Sequence, residues 1–250
     1  MSTSDRSIDC NKNKKVCAII AAAGNSSRMN LDGDKSKQFI EICGKSVIER
    51  AVSVFDVCGL IDEIIIVTRR WDVETIQEII SDADLKKVKR IVEGGDTRRE
   101  SVLNALSVVS QDINYIAVHD GARCLITVND IEKVIKKAFE TGAAAAANKV
   151  TDTIKYVESG GIIKKTVNRD FLWSVQTPQI FLKELYISSI KYIKEKKLDI
   201  DITDITDDCA VLEYAGHDVS VVECSKDNIK ITEIGDVLLA EAIIKGSGTD

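Results

Sequence analysis

Val16-Cys17-Ala18-Ile19-Ile20, running into Ala21-Ala22-Ala23-Gly24-Asn25-Ser26-Ser27-Arg28-Met29, decides how this chain folds. The first five residues are an apolar run of strand length with no polar interruption, the pattern of a strand buried on both faces. The run ends in side chains too small to keep a backbone away from a ligand. A loop of that kind at the carboxyl end of a first strand is where open α/β sheets bind nucleotides and their phosphates. Isolated cations follow at Arg28 and Lys37, able to set positive charge against phosphate oxygens. The segment therefore reads as a phosphate cradle, with Ala22, Ala23 and Gly24 letting backbone amides come close.

Outward from this strand, the pattern alternates. Val47 to Val57 has helical spacing, Glu63 to Val67 is β-branched, and Val73 to Ile80 is helical again. Val88 to Val92 reads as a strand, Arg98 to Val109 as a helix, Tyr115 to Val118 as a strand and Ile131 to Phe139 as a helix. Ala143 to Ala147 is read as a close-packed strand. A helix near Leu182 to Lys194, a strand at Val219 to Val222, a connector at Asn228 to Thr232 and a closing helix at Ile234 to Ile244 complete the chain. Such alternation specifies a mainly parallel sheet with helices on both faces. The expected organisation is a single domain over residues 16–245, with a polar tail at 1–15 and a frayed end at 246–250.

One stretch breaks the alternation. Between Thr151 and Val167, two alternating β-rich runs flank Ser159-Gly160-Gly161, a strong hairpin-turn signal. A two-stranded hairpin is marginal alone in water and needs a partner surface. It is expected either as an arm, about residues 150–168, docking on a second subunit, or as an edge hairpin packed within its own subunit.

Composition removes several classes of function. With 44% hydrophobic and 30% charged residues the 250-residue chain is an ordinary globular protein. A net charge of −6 and the lack of a basic tract argue against nucleic-acid binding. The N-terminus lacks the apolar core of a signal peptide, and no run approaches membrane-spanning length. Seven scattered cysteines without CxxC spacing and only two histidines leave no zinc pattern. These features point to the cytoplasm. The acidic stretch Asp199 to Asp208 lacks the glycine and spacing of a calcium loop, and Asp207 or Asp208 is expected to cap the following helix. Trp71 and Trp173 are expected to be packing residues.

Gly24 lacks the later glycines of a dinucleotide fingerprint, which disfavours a NAD-dependent dehydrogenase, and no P-loop lysine follows. What makes the first loop specific is the ordered set behind it. Lys37-Gln38-Phe39, Gly94-Gly95-Asp96-Thr97-Arg98-Arg99-Glu100-Ser101 and His119-Asp120-Gly121-Ala122-Arg123 fall at successive strand ends. Thr166-Val167-Asn168-Arg169, Gln176-Thr177-Pro178-Gln179 and Asp227-Asn228-Ile229-Lys230 follow. Together, from about Val16 to Ile244, they resemble the 2-C-methyl-D-erythritol 4-phosphate cytidylyltransferases of non-mevalonate isoprenoid biosynthesis.

That resemblance implies a Rossmann-like nucleotidyltransferase domain with a projecting β-hairpin arm. It implies transfer of CMP from CTP to 2-C-methyl-D-erythritol 4-phosphate, with magnesium held mainly by the CTP phosphates and no dedicated protein metal site. Two anions must meet, so alignment and charge neutralisation are the main tasks. Arg28 and Lys37 match the positions that stabilise the transition state. Gly94, Gly95, Asp96 and Ser101 match the segment that reads cytosine, where Asp96 or Thr97 can also cap a helix. By the same resemblance Asp120 and Gly121 face the ribose and metal–phosphate region, with Arg123 close to the substrates. Arg169 and Lys230 match residues that position the acceptor phosphate, with Thr153 and Thr177 nearby. Thr153 and Arg169 would come from a partner's arm, so the site would be shared across a homodimer. His119 is expected to satisfy backbone groups, because an anionic attacking oxygen needs no base.

The chain departs from the family pattern at several points. Ser26 stands for a glycine, Asp32-Gly33-Asp34 lengthens the first loop, Ser36 and Cys124 stand for prolines, and Gly121 stands for an alanine. These changes are expected to loosen the loops, with the first loop ordering on CTP. Two further readings stay open: a ribitol-5-phosphate cytidylyltransferase, and a non-catalytic nucleotide-binding regulator on the same scaffold.

Overall fold

The computed structural model describes residues 14–24, 36–196 and 206–247. The first strand, β1 (Val16–Ala21), is followed by a small ribbon, β2 (Glu41–Ile42) and β3 (Lys45–Ser46), and by α1 (Val47–Val57). Then come β4 (Glu63–Thr68), α2 (Val73–Asp82), β5 (Val88–Glu93), α3 (Arg98–Leu106), β6 (Tyr115–Asp120) and α4 (Val128–Thr141). Past β7 (Ala143–Lys149) lies a hairpin of β8 (Lys155–Glu158) and β9 (Ile162–Thr166). The chain continues through β10 (Trp173–Leu182), α5 (Lys183–Lys196), α6 (Asp208–Tyr214), β11 (Ser220–Glu223) and α7 (Ile234–Ser247).

Seven strands form one sheet in the order β11-β7-β10-β6-β1-β4-β5. All neighbours are parallel except β10, which runs antiparallel to both β6 and β7. Successive residues of β1 alternate between two cores. Val16, Ala18 and Ile20 pack against α1 and α4 on one face. Cys17 and Ile19 pack against α3, α5 and α6 on the other. A smaller core gathers Ile42, Val47, Cys124 and Ile231 under α7. β7 is an unusual strand, its first five residues all being alanine. Its near-zero side-chain volume lets β10 and β11 and the helices close on it, and Ala143 to Ala147 are all buried.

β10 is the element that sequence reasoning does not foresee. Pro178 argues against a central strand because it cannot donate to a ladder. It sits where the β10–β7 register breaks between Val175 and Gln179, so no ladder bond depends on its missing N–H.

Caps set the helix starts. Thr97 and Glu100 form a capping box at α3, which ends at Leu106, short of the expected Val109. Asp207, rather than Asp208, accepts from the Ala210 N–H at α6. Lys15 donates to Asp112 at 2.5 Å and its N–H to Asn114 Oδ1, so residues 14 and 15 belong to the domain. α7 runs through Gly246 to Ser247. The rest of the N-terminal tail lies outside the described residues.

The hairpin forms its own two-stranded sheet, turning through Gly160 and Gly161 at positive φ. Tyr156, Val157, Ile162 and Ile163 are all exposed along it, and Phe171 at its base is 82% exposed. Among the described residues these apolar side chains find no cover.

Candidate active site

The chain lays down β1, β4 and β5 on one side, then crosses back to place β6 beside β1. The strands are parallel, so their carboxyl ends open on one edge at a topological switch point. A cavity of about 560 Å³ lies there, lined from the ends of β1, β4, β5 and β6. Ala23, Gly24, Lys37, Gly95, Asp96, Ser101, Asp120 and Lys230, all expected from the sequence, line it.

Each is positioned by local chemistry. Ser36 caps a 3-10 turn at Lys37–Phe39 and accepts from the Gln38 N–H, and Lys37 Nζ reaches back to the Ile231 carbonyl at 2.9 Å. Lys230 is delivered by the connector after β11, whose fully buried Asn228 donates to Gln176 Oε1 at 3.0 Å and to the Thr177 carbonyl at 2.9 Å. Ile231 N–H then bonds the Ala122 carbonyl, bringing the connector against the β6 end.

Gly94 and Gly95 make a tight corner after β5. A Cβ on Gly94 would fall 2.5 Å from Ala23 Cβ and 2.8 Å from Ser101 Oγ, so only glycine lets the first loop and α3 meet. Both glycine amides are used internally. Gly94 N–H donates to the Thr68 carbonyl and Gly95 N–H to Ser101 Oγ. With these two amides occupied, a ligand at this corner can still meet carbonyls, the Asp96 side chain and the amides at the start of α3.

Asp120 is the electrostatic centre. Lys230 Nζ lies 2.7 Å from Oδ2 and Arg98 Nε lies 3.3 Å from Oδ1. Burial opposes its ionisation, but the charges of Arg98 and Lys230 outweigh burial and hold its carboxyl well below the usual carboxylate range. Arg98 continues to Asp208 at 2.6 Å, and Asp208 accepts from the buried Tyr186 hydroxyl at 2.5 Å. Burial works against the Arg98 charge, and Asp208 and Asp120 reverse this, so the guanidinium stays fully protonated. The sequence reading left Arg98 out of the site, although it stands one residue inside α3 at a strand end.

Behind the cavity, His119 ties three segments together. Its Nε2 lies 3.0 Å from the Arg123 carbonyl, and its Nδ1 lies 3.1 Å from Thr177 Oγ1, which accepts from the Asp120 N–H. A carbonyl can only accept, so Nε2 carries the proton and Nδ1 accepts from the threonine hydroxyl. Burial lowers the His119 pKa to about 4, keeping the ring neutral. Thr177 is thus a buried support rather than part of the cavity lining. Ala22 is buried in the core with its N–H on the Val67 carbonyl, and Arg123 donates to the Asn228 carbonyl at 2.8 Å.

Ser36, Gly121 and Cys124, where loosening is expected, each have a bonded or packed place. Ser36 caps its turn, Gly121 N–H bonds the Ala21 carbonyl at 3.0 Å, and Cys124 is buried in the core under α7. Hydrogen bonds and packing over-determine these positions, so the lost proline restraint has little to act on. Arg28, Ser26 and Asp32 to Asp34 lie outside the described residues.

Arg169 and Thr153 do not join the cavity of their own chain. Both are exposed beside the hairpin, where Arg169 donates to the Thr151 carbonyl. Trp71 corrects the expectation of a packing role: it is 66% exposed and lines the cavity with Arg69 and Arg70. Its signal was its place three residues beyond a strand end.

Gln38 Oε1 is buried without a partner among the described residues, and Gln38 also lines the cavity. An unpaired buried acceptor is costly, so it marks a place where a ligand donor is owed. Among the described residues no cluster of three or more metal-ligating side chains occurs. No helix among them is long and apolar enough to cross a membrane.

Residues 16–246 match the family model described as 2-C-methyl-D-erythritol 4-phosphate cytidylyltransferase, IspD. Relatives of that name occur in Clostridium tetani, 44% identical over 94% of this chain and 92% of the relative, and in Alkaliphilus oremlandii, 42% identical over 92% and 95%. The fold is similar to the crystal structure of 4-diphosphocytidyl-2C-methyl-D-erythritol synthase from Anaerococcus prevotii, with TM-score 0.81 and 29% identity over 94% of this chain and 98% of that one. It is also similar to the Francisella tularensis cytidylyltransferase, with TM-score 0.73 and 28% identity over 92% and 99%.

Proposed function

The chain belongs to the 2-C-methyl-D-erythritol 4-phosphate cytidylyltransferase family, and from that premise we propose how its own residues carry out the transfer. The enzyme is a nucleotidyltransferase that moves CMP from CTP to 2-C-methyl-D-erythritol 4-phosphate, releasing pyrophosphate. A phosphate oxygen of the acceptor forms a bond to the α-phosphorus, and the α–β bridging bond breaks with its electron pair leaving on pyrophosphate. The attacking oxygen is already anionic, so no general base is required. What the protein must do is hold two polyanions in line and offset their charge.

The observation that carries this reading is the convergence of Lys37 and Lys230 on one cavity with the Gly94–Gly95 corner and Asp120. Lys37 faces the triphosphate and stabilises the crowded α-phosphorus, the role that the family pattern also gives Arg28. Gly95, Asp96 and Ser101 hold the cytosine edge. Lys230, freed from Asp120 as substrate enters, takes the acceptor phosphate. Asp120 fits a magnesium ion held mainly by the nucleotide, because such ions take one or two carboxylates together with phosphates. Each carboxylate oxygen keeps a second lone pair beyond its present cation contact. Bound there, magnesium would draw charge from the phosphates.

Arg169 and Thr153 serve the neighbouring subunit's cavity. The exposed apolar residues of the hairpin and Phe171 at its base support this, since an uncovered surface of that kind marks an interface. The protein works as a homodimer in the cytoplasm, each arm completing the other site. Pyrophosphate release from CTP and magnesium tests the assignment, with methylerythritol 4-phosphate and ribitol 5-phosphate compared as acceptors. Release with the first alone is expected. Release with ribitol 5-phosphate alone, or CTP binding without release, would overturn it.

A further inference from the structure

Trp71 is the conspicuous wall of the cavity that the transfer chemistry leaves without a task. It belongs to a 3-10 turn at Arg70–Asp72, directly beyond β4. Asp72 grips Arg69 through both oxygens, at 2.6 and 3.1 Å, and the pair is nearly buried. The Arg69 guanidinium carbon in turn lies 5.2 Å from the centre of the Trp71 ring. The indole is therefore fixed from one side by a clamped cation, yet the residue stays 66% exposed and its open surface belongs to the cavity. A large exposed aromatic that is held rigid is an uncommon use of a tryptophan on a monomer surface, and it has a flat, open face to offer.

The turn that carries it is also next to the corner assigned to the base. Thr68 pairs with Glu93 in the sheet, and Gly94 N–H bonds the Thr68 carbonyl at 2.9 Å. Residues 69–71 and 94–96 thus leave neighbouring strand ends side by side. The corner supplies backbone groups and a carboxylate, which read a ring edge, but nothing planar to cover a ring face. We propose that Trp71 is a stacking platform for the pyrimidine ring of the bound nucleotide, held in place by the Arg69–Asp72 clamp. This rests on the placing of cytosine at Gly95 and Asp96. Stacking on an aromatic is tolerant of base identity, so Trp71 sets nucleotide affinity and the corner sets which base is accepted.

The chain has two tryptophans, so a Trp173→Phe background leaves Trp71 as the sole indole. Its emission is followed during titration with CTP, cytidine or inorganic triphosphate, with binding measured in parallel by calorimetry. CTP is expected to quench Trp71 along the calorimetric isotherm, cytidine to quench it at higher concentration, and triphosphate to bind without quenching. Trp71→Ala is expected to raise KM for CTP by about tenfold with kcat within about twofold, and Trp71→Phe to restore most of the loss. Calorimetric binding of CTP without a change in emission, while Asp96→Ala still weakens CTP, overturns the stacking role and leaves the base corner standing. No quenching together with no effect of Asp96→Ala overturns both. Quenching by triphosphate alone places the indole over the phosphates and also overturns the proposal.

Discussion

At the scale of single residues the site is a balance of charge around Asp120. Lys37 is a cation that the described residues bring to the cavity just behind the first loop, and it is a direct test of the reading. Lys37→Ala is expected to lower kcat about a hundredfold, the usual effect of removing one preorganised charge-stabilising group. Steady-state pyrophosphate release measures it, and urea unfolding should show the fold unchanged. His119 makes a different, structural prediction. Its ring stays neutral in the folded state down to pH about 4, whereas the unfolded chain takes up a proton below pH about 6.5. The unfolded state therefore binds more protons in this window. Stability from neutral His119 is fully present above the unfolded value and is lost as pH falls toward the folded one, by about 3 kcal/mol in all. Urea midpoints from pH 7.5 to 4.5 should fall more steeply for the wild type than for His119→Gln, a difference that cancels the carboxylates common to both. Parallel slopes would contradict it.

Asp120 is legible in the sequence because it ends an apolar strand, and Lys37 because it is an isolated cation behind the first strand's loop, whereas Lys230 is legible only through the family resemblance. Arg98 also stands at a strand end without being read as a site residue, and Trp71 is read there as packing. Arginine at a helix start has many solvated uses, and only the fold reveals that Asp120 and Asp208 converge on it. Tryptophan is usually core, and the clamp that keeps Trp71 at the surface consists of contacts with Arg69 that spacing alone does not announce.

Among the elements, the corner between β5 and α3 shows how tightly secondary structure is tied to the site. Gly94→Ala would press its methyl onto Ala23 and Ser101, side chains that cannot withdraw without moving the first loop or α3. A loss of about 2 kcal/mol in unfolding free energy is expected, together with weakened CTP binding. Gly24→Ala has nothing among the described residues within contact distance of the new methyl and should leave stability unchanged. Equal unfolding free energies for the two variants would contradict the packing argument. The alternation of strands and helices is dictated by hydrophobic period, which is why most elements could be placed from sequence. β10 could not, because a proline's missing donor is harmless only at a register break, and a register break is a property of two strands together. β7 could be placed in spite of its poor β propensity, since five consecutive alanines leave room for dense packing on both faces.

For the whole molecule, the hairpin turn was plain in Ser159-Gly160-Gly161, but the sheet order was not, since the crossing from β5 back to β6 leaves no local mark in the chain. One subunit by itself has Lys37, Asp120 and Lys230 in its cavity while Arg169 and Thr153 stand outside it on an arm with uncovered apolar side chains. The central claim is that a partner's arm supplies what is missing. Subunit complementation tests it most directly: Lys37→Ala and Arg169→Ala proteins, each impaired alone, are unfolded together in equal amounts and refolded. Half of the dimers should be mixed, and each mixed dimer should hold one intact site out of two. The account predicts recovery of about a quarter of wild-type activity, and a mixture no more active than its parents would contradict it.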